Sequence, residues 1–138
     1  MARKPQLVAE RVFLSTGGSK IIAQIMRPER PRGSRDFRCG YRALNTGSGT
    51  AELKYAWGVD TLQALQLAIQ ALRVELLPLV EHLKWKGAAA GSLGIPLAIP
   101  EFFGPELARR LERRVEQAVE RHARKLEEQH RRHAPTRR

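Results

Sequence analysis

Residues 51–76 read AELKYAWGVDTLQALQLAIQALRVEL, and within this stretch the repeat of apolar residues lengthens from two to about 3.6. Ala51, Leu53, Tyr55 and Trp57 alternate with Glu52 and Lys54, the pattern of a strand with one dry and one wet side. From Asp60 onward Leu62, Leu65, Ile69, Leu72 and Leu76 recur at intervals of three and four, the stripe of a helix. Ala64, Leu67, Ala68, Ala71 and Val74 widen that stripe almost all round. Asp60 with Gln63 three residues later has the spacing of a capping box, and the acid also faces the positive helix end. Pro78 ends or kinks the helix, because it lacks an N–H and clashes with the preceding turn. Leu79–Leu83 then adds a turn or two. A helix this apolar needs broad cover, which the aromatic side of a neighbouring sheet can give.

Upstream, residues 36–44 alternate in the same way. Phe37, Cys39, Tyr41 and Ala43 fall on one side, and Asp36, Arg38, Gly40 and Arg42 on the other. Asn45-Thr46-Gly47-Ser48-Gly49 has turn composition. Residues 7–16 and 20–27 are apolar and β-branched, joined by Gly17-Gly18-Ser19, a hairpin turn in which glycine accepts positive φ. Between the hairpin and residue 36, Pro28–Arg35 (PERPRGSR) reads as a loop, since proline cannot donate to a sheet. The expected fold class is α+β: a four-stranded antiparallel meander packed on one apolar helix, plus a long basic C-terminal helix.

Downstream, residues 84–104 are apolar yet rich in Gly, Ala and Pro. They predict a short strand near Leu83–Lys86 and then irregular chain packed on the body, with Leu93, Ile95, Leu97, Ile99, Phe102 and Phe103 as core cover. Gly104-Pro105 opens the last helix, proline standing where its missing N–H costs little. That helix runs to about Arg131, with Leu107, Leu111, Val115, Ala118, His122 and Leu126 in a narrow near-heptad stripe. Glu106–Arg110, Glu120–Arg124, Glu127–Arg131 and Glu128–Arg132 have favourable i,i+4 spacing. The terminal Pro135–Arg138 (PTRR) should fray. The organisation is a domain over 1–104 and a helix with its tail over 105–138.

A chain of 138 residues with 42% hydrophobic content can bury a core without staples. Its formal net charge of +11 favours acidic partners. The single cysteine excludes an intramolecular disulfide and suits a reducing compartment. Basic residues near the start are not followed by an apolar run, and no apolar stretch is long enough to span a bilayer. The expectation is a cytoplasmic protein without membrane contact.

Several of these segments together carry a family resemblance. Cys39-x-Tyr41, the run Gly58-Val59-Asp60-Thr61-Leu62-Gln63-Ala64-Leu65-Gln66-Leu67-Ala68, Leu83-Lys84-Trp85-x-Gly87 and Leu93-Gly94-Ile95-Pro96 resemble a family of small bacterial proteins described as a domain of unknown function. The likeness covers roughly residues 7–97. It implies an α+β fold and no particular activity. The helix after Pro105 lies beyond it. The shared residues read as architecture: Gly58 for a tight turn, Asp60 as a cap, alanines for close helix–sheet approach. The competing reading places Gln63 or Gln66 and Trp85 around a pocket.

No catalytic constellation stands out. His82, His122, His130 and His133 give no spacing of three or four fixed metal ligands, and Glu81-His82 lacks a second histidine. Cys39 shares the apolar side of its strand, where a thiol is inert. Ser92 in Gly91-Ser92-Leu93-Gly94 misses the nucleophile-elbow spacing. Gly17-Gly18-Ser19-Lys20 joins two strands, whereas phosphate cradles precede helices. Glu10 and Glu52 are the one carboxylate pair that strand pairing could bring together. Neither an enzyme nor a cofactor is expected, a small hydrolase-like enzyme being the least favoured of the readings.

What remains is binding. The charged candidates are Arg109, Arg110, Arg113, Arg114, Arg121, Arg124 and Lys125 on the last helix and Arg32 and Arg35 in the loop, with Arg27 and Arg30 beside them. The expected function is a macromolecular interaction module whose C-terminal helix binds a protein partner or a second copy. Nucleic acid held mainly through phosphates is the alternative partner. Base stacking on the sheet is not expected, because Phe37, Tyr41, Tyr55 and Trp57 share the predicted core side.

Overall fold

In the hairpin turn at residues 16–19 Gly18 takes φ 83°, which lets β1 (Leu7–Ser15) double back into β2 (Lys20–Met26). β3 (Phe37–Asn45) and β4 (Lys54–Gly58) continue the antiparallel meander. After α1 (Thr61–Leu76) and a 3₁₀ turn (Leu77–His82), the two-residue β5 (Leu83–Lys84) pairs with the end of β1, so the sheet order is β4-β3-β2-β1-β5. The computed structural model describes residues 3–89, 91–99 and 102–134. The chain divides into two units, Met1–Leu97 and Ala98–Arg138. The first is thus an antiparallel sheet backed by one helix. The second is built on α2 (Pro105–His133). The tail expected to fray, 135–138, lies outside the described residues.

The core of the first unit sits between α1 and one side of the sheet. Phe13, Ile21, Ala23, Ile25 and Cys39 come from the strands, and Ala64, Ala68, Leu72 and Leu76 from the helix. Phe37, Tyr41 and Ala43 pack against them, as their alternation predicts. The helix buries a different stripe from the expected one. Its centre is Ala64, Ala68, Leu72 and Leu76, with Leu65 and Ile69 at the margin, while Leu62 is exposed.

β4 corrects the larger expectation. Tyr55 pairs with Gly40, and Trp57 with Arg38, so both aromatic residues lie on the side of the sheet away from α1. Ala56, opposite Cys39, and Gly58, opposite Phe37, face the helix instead. The cause is packing distance. α1 approaches β4 through Ala64, and small residues on both sides of the seam leave no space for an indole.

The start of α1 is capped as its sequence predicts. Asp60 Oδ1 accepts from the Gln63 backbone N–H at 2.7 Å, and Gln63 Oε1 accepts from Val59 N–H at 2.7 Å. Residues 28–35 are more regular than a free loop. Glu29 and Arg38 exchange both backbone hydrogen bonds, extending the β2–β3 hairpin, and Ser34 N–H donates to Pro31 O to close its tip.

The Gly/Ala/Pro-rich segment splits in its behaviour. Leu93 is buried and Ile95 packs on the core, whereas Leu97, Phe102 and Phe103 are exposed, against the expectation of core cover for the whole run. Leu93–Pro96 crosses the body as a strap held through its carbonyls. Arg11 Nη1 donates to Leu93 O at 3.0 Å and to Gly94 O at 2.9 Å. Arg73 Nε donates to Ile95 O at 3.1 Å and Gln70 Nε2 to Pro96 O at 3.0 Å. Arg11 also stacks on Trp85, its guanidinium carbon 4.0 Å from the ring centroid.

Candidate functional site

Two surfaces carry the chemistry-bearing side chains. The first is α2. A helix of 29 residues is about 43 Å long. At 3.6 residues per turn, Arg109, Arg110, Arg113, Arg114, Arg121, Arg124 and Lys125 fall within an arc of roughly 160°. Leu111, Val115, Ala118, Val119, His122 and Leu126 fall within a separate arc of roughly 100°. Glu112 and Glu116 mark one border between the two arcs, while Glu106, Glu120, Glu127 and Glu128 lie among the basic residues. The apolar stripe is therefore set apart from the basic residues, while acids remain mixed among the latter. All seven basic residues are exposed, as are Val115, Val119 and Leu126. Of the four expected i,i+4 pairs, only Glu127–Arg131 closes among the described residues, at 3.9 Å.

The second surface is the side of the sheet away from α1. Two polar chains cross it. Gln24 Nε2 donates to Glu10 Oε2 at 3.1 Å, and Arg42 Nε donates to Gln24 Oε1 at 2.7 Å. Arg38 holds Glu29 Oε1 through Nε at 2.9 Å and Nη2 at 2.7 Å, and its guanidinium carbon lies 4.2 Å from the Tyr55 ring centroid. Glu29, Arg38 and Trp57 form one cross-strand row, and Trp57 is 49% exposed at its β4 end. Arg30, Arg32 and Arg35 are exposed in the hairpin extension at the Glu29 end. Alternation alone could not reveal this surface. The signal was the pair of small residues Ala56 and Gly58, whose parity marks the side that the helix must approach.

The remaining candidates lie apart from one another. Glu10 is on β1, while Glu52 precedes β4 with β2 and β3 between them, so the carboxylates do not meet. Cys39 is fully buried and its Sγ donates to Met26 O at 3.2 Å. Burial pushes its thiol up from 9.0 to about 11. Lys54, at the sheet edge, donates to Glu75, and that hydrogen bond, then the Glu75 charge, raises its ammonium above the ordinary value. His82 Nδ1 is 3.5 Å from Thr16 Oγ1, and His133 Nδ1 is 2.7 Å from Gln129 O. Among the described residues no three of His, Cys, Asp and Glu are placed to hold a metal ion, and no helix is long and apolar enough to cross a membrane.

An apolar cavity of about 340 Å3 lies between β1, β2, α1 and the strap, lined by Ala9, Ala23, Ile25, Leu65, Ile69 and Ile95 among others. Gln63 and Trp85 are engaged elsewhere, in the helix cap and the Arg11 stack. The motif residues quoted above are thus mostly structural: Cys39 in the core, Gly58 under the helix, Asp60 at its cap, Trp85 and Gly94 at the strap.

The family model described as Domain of unknown function (DUF6968) matches residues 9–97. No curated protein and no solved structure matches the chain.

Proposed function

The chain belongs to the DUF6968 family, a domain of unknown function, and from that premise we propose that this member is a non-enzymatic interaction module whose α2 helix, outside the family region, pairs with a helix of a protein partner or of a second copy. The observation that carries this reading is the apolar stripe of α2. Val115, Val119 and Leu126 are 53%, 63% and 45% exposed on a side free of arginine. A helix with such a stripe gains from burying it against another helix, and long arginines flanking the stripe cover the rim of the contact. His122 and Ala118 within the stripe weaken any self-pairing, which favours a partner that supplies the larger residues.

The test uses the full chain and the triple variant Val115→Asp/Val119→Asp/Leu126→Asp. Sedimentation and cross-linking of purified protein, and capture of partners in roughly 0.5 M salt, where exposed charge is screened, should give an association that the variant loses. If the variant associates as the wild type does, the reading fails. Binding that collapses with salt and ignores the stripe would point to phosphate contacts by the basic arc instead.

A further inference from the structure

We infer that the side of the sheet away from α1 binds single-stranded nucleic acid, with one base stacked on Trp57, the next on the Arg38–Tyr55 pair, and phosphates on Arg32 and Arg35. The proposal concerns the first unit and does not depend on α2.

Trp57 carries the argument. A half-exposed indole near the end of a short edge strand leaves much of its apolar surface in water unless something covers it. Its cross-strand neighbour is Arg38, about 5 Å away between backbones. The Arg38 guanidinium already lies over Tyr55, 4.2 Å from the ring centroid, and is held by its two bonds to Glu29 Oε1. The Arg38 side chain remains partly exposed there. Guanidinium planes and aromatic rings are the two surfaces on which unstacked bases settle, and here one of each stands side by side.

Charge selects the occupant. Glu29 is matched by Arg38, and Glu10 is bonded to Gln24. Arg32 and Arg35 have no hydrogen bond or ion pair with another described residue, whereas Arg30 is turned to the Phe37 ring on the α1 side, at 5.9 Å. The hairpin extension holding these residues is anchored by the Glu29–Arg38 bridge, so its cations sit at the same end of the sheet as Trp57. An acidic protein would satisfy the arginines and leave the indole and guanidinium planes without flat partners. A duplex keeps its bases stacked away from them.

The experiment measures fluorescence anisotropy of a labelled oligothymidylate and of a duplex of equal length, titrated with the full chain over a range of salt. The single strand should bind more tightly than the duplex. Trp57→Ala should weaken single-strand binding about tenfold, the loss of one stacked base, and leave duplex binding unchanged, while Trp57→Phe retains most of the affinity. Replacing Arg32 and Arg35 by Gln should reduce the slope of log affinity against log salt by about 1.4. Trp57 is exposed, so its replacement should not disturb the thermal midpoint. Equal binding by wild type and Trp57→Ala, an absence of single-strand preference, or a Trp57→Ala effect confined to self-association would each overturn the proposal. The stripe substitutions in α2 leave these readouts unaltered, which separates the two hypotheses.

Discussion

A β-carbon added to Gly58 would stand 2.5 Å from the backbone nitrogen of Ala64 and 2.9 Å from the carbonyl carbon of Gln63. Both are helix backbone, which cannot swing aside as a side chain can. Gly58→Ala should therefore cost about 2–4 kcal/mol by overpacking, lowering the thermal midpoint by roughly 10–20 °C. Gly40 is the control. A β-carbon there meets Met26 Cγ at 3.1 Å and Leu53 Cδ1 at 3.2 Å, both side-chain atoms. Gly40→Ala should cost about 1 kcal/mol or less, and a thermal melt of the two variants separates the cases.

The strap gives the second prediction. Gly94 has φ 64°, and a β-carbon there would overlap Trp85 Cζ2. Its carbonyl and that of Leu93 accept from Arg11. Arg11→Met keeps the length of the side chain and removes both hydrogen bonds and the cation–π contact, at an expected cost of about 2 kcal/mol. Gly94→Ala should cost at least as much, because strain adds to overlap. Urea denaturation measures both, and unchanged midpoints would show that the strap is not held in this way.

A pH dependence follows from Cys39. Its thiol is held neutral by burial, with the folded value near 11 against 9.0. The stability it contributes is fully present below pH 9 and is lost as pH rises towards about 11, because only the unfolded chain readily gives up the proton. The urea midpoints of wild type and Cys39→Ala should therefore converge between pH 8 and pH 10.5. A constant gap would contradict the assignment. Thiol reagents should label Cys39 at pH 8 only when denaturant is present.

Asp60 is expected to act through its cap alone. Asp60→Ala removes the acceptor for Gln63 N–H and should cost about 1 kcal/mol. Asp60→Asn keeps an acceptor and should recover most of that loss in the same denaturation series.

Much of this fold was legible in the residues themselves. Glycine and proline punctuated the meander, the change of period at Asp60 located α1, and the Asp60–Gln63 pair fixed its start. The facing of β4 was not legible from hydrophobicity. Trp57 and Tyr55 are the most apolar choices for a core, and alternation assigned them there. Interlayer distance decided otherwise, because Ala56 and Gly58 admit the helix and the aromatics do not. The same principle misjudged α1, where Ala64 and Ala68 bury better than Leu62. The basic residues were found by composition. The neighbourhood of Trp57 needed three dimensions.

The attachment of β5 to β1 has a kinetic meaning. Ser15 pairs with Leu83 and Leu14 with Lys84, so this edge closes across most of the first unit's sequence, whereas β3, β4 and α1 are consecutive between Phe37 and Leu76. Chain entropy makes short closures early and long ones late. We predict that refolding nucleates in the 37–76 segment, so that Ala68→Gly slows refolding while Leu83→Ala chiefly accelerates unfolding, a contrast that stopped-flow measurements of both limbs would reveal.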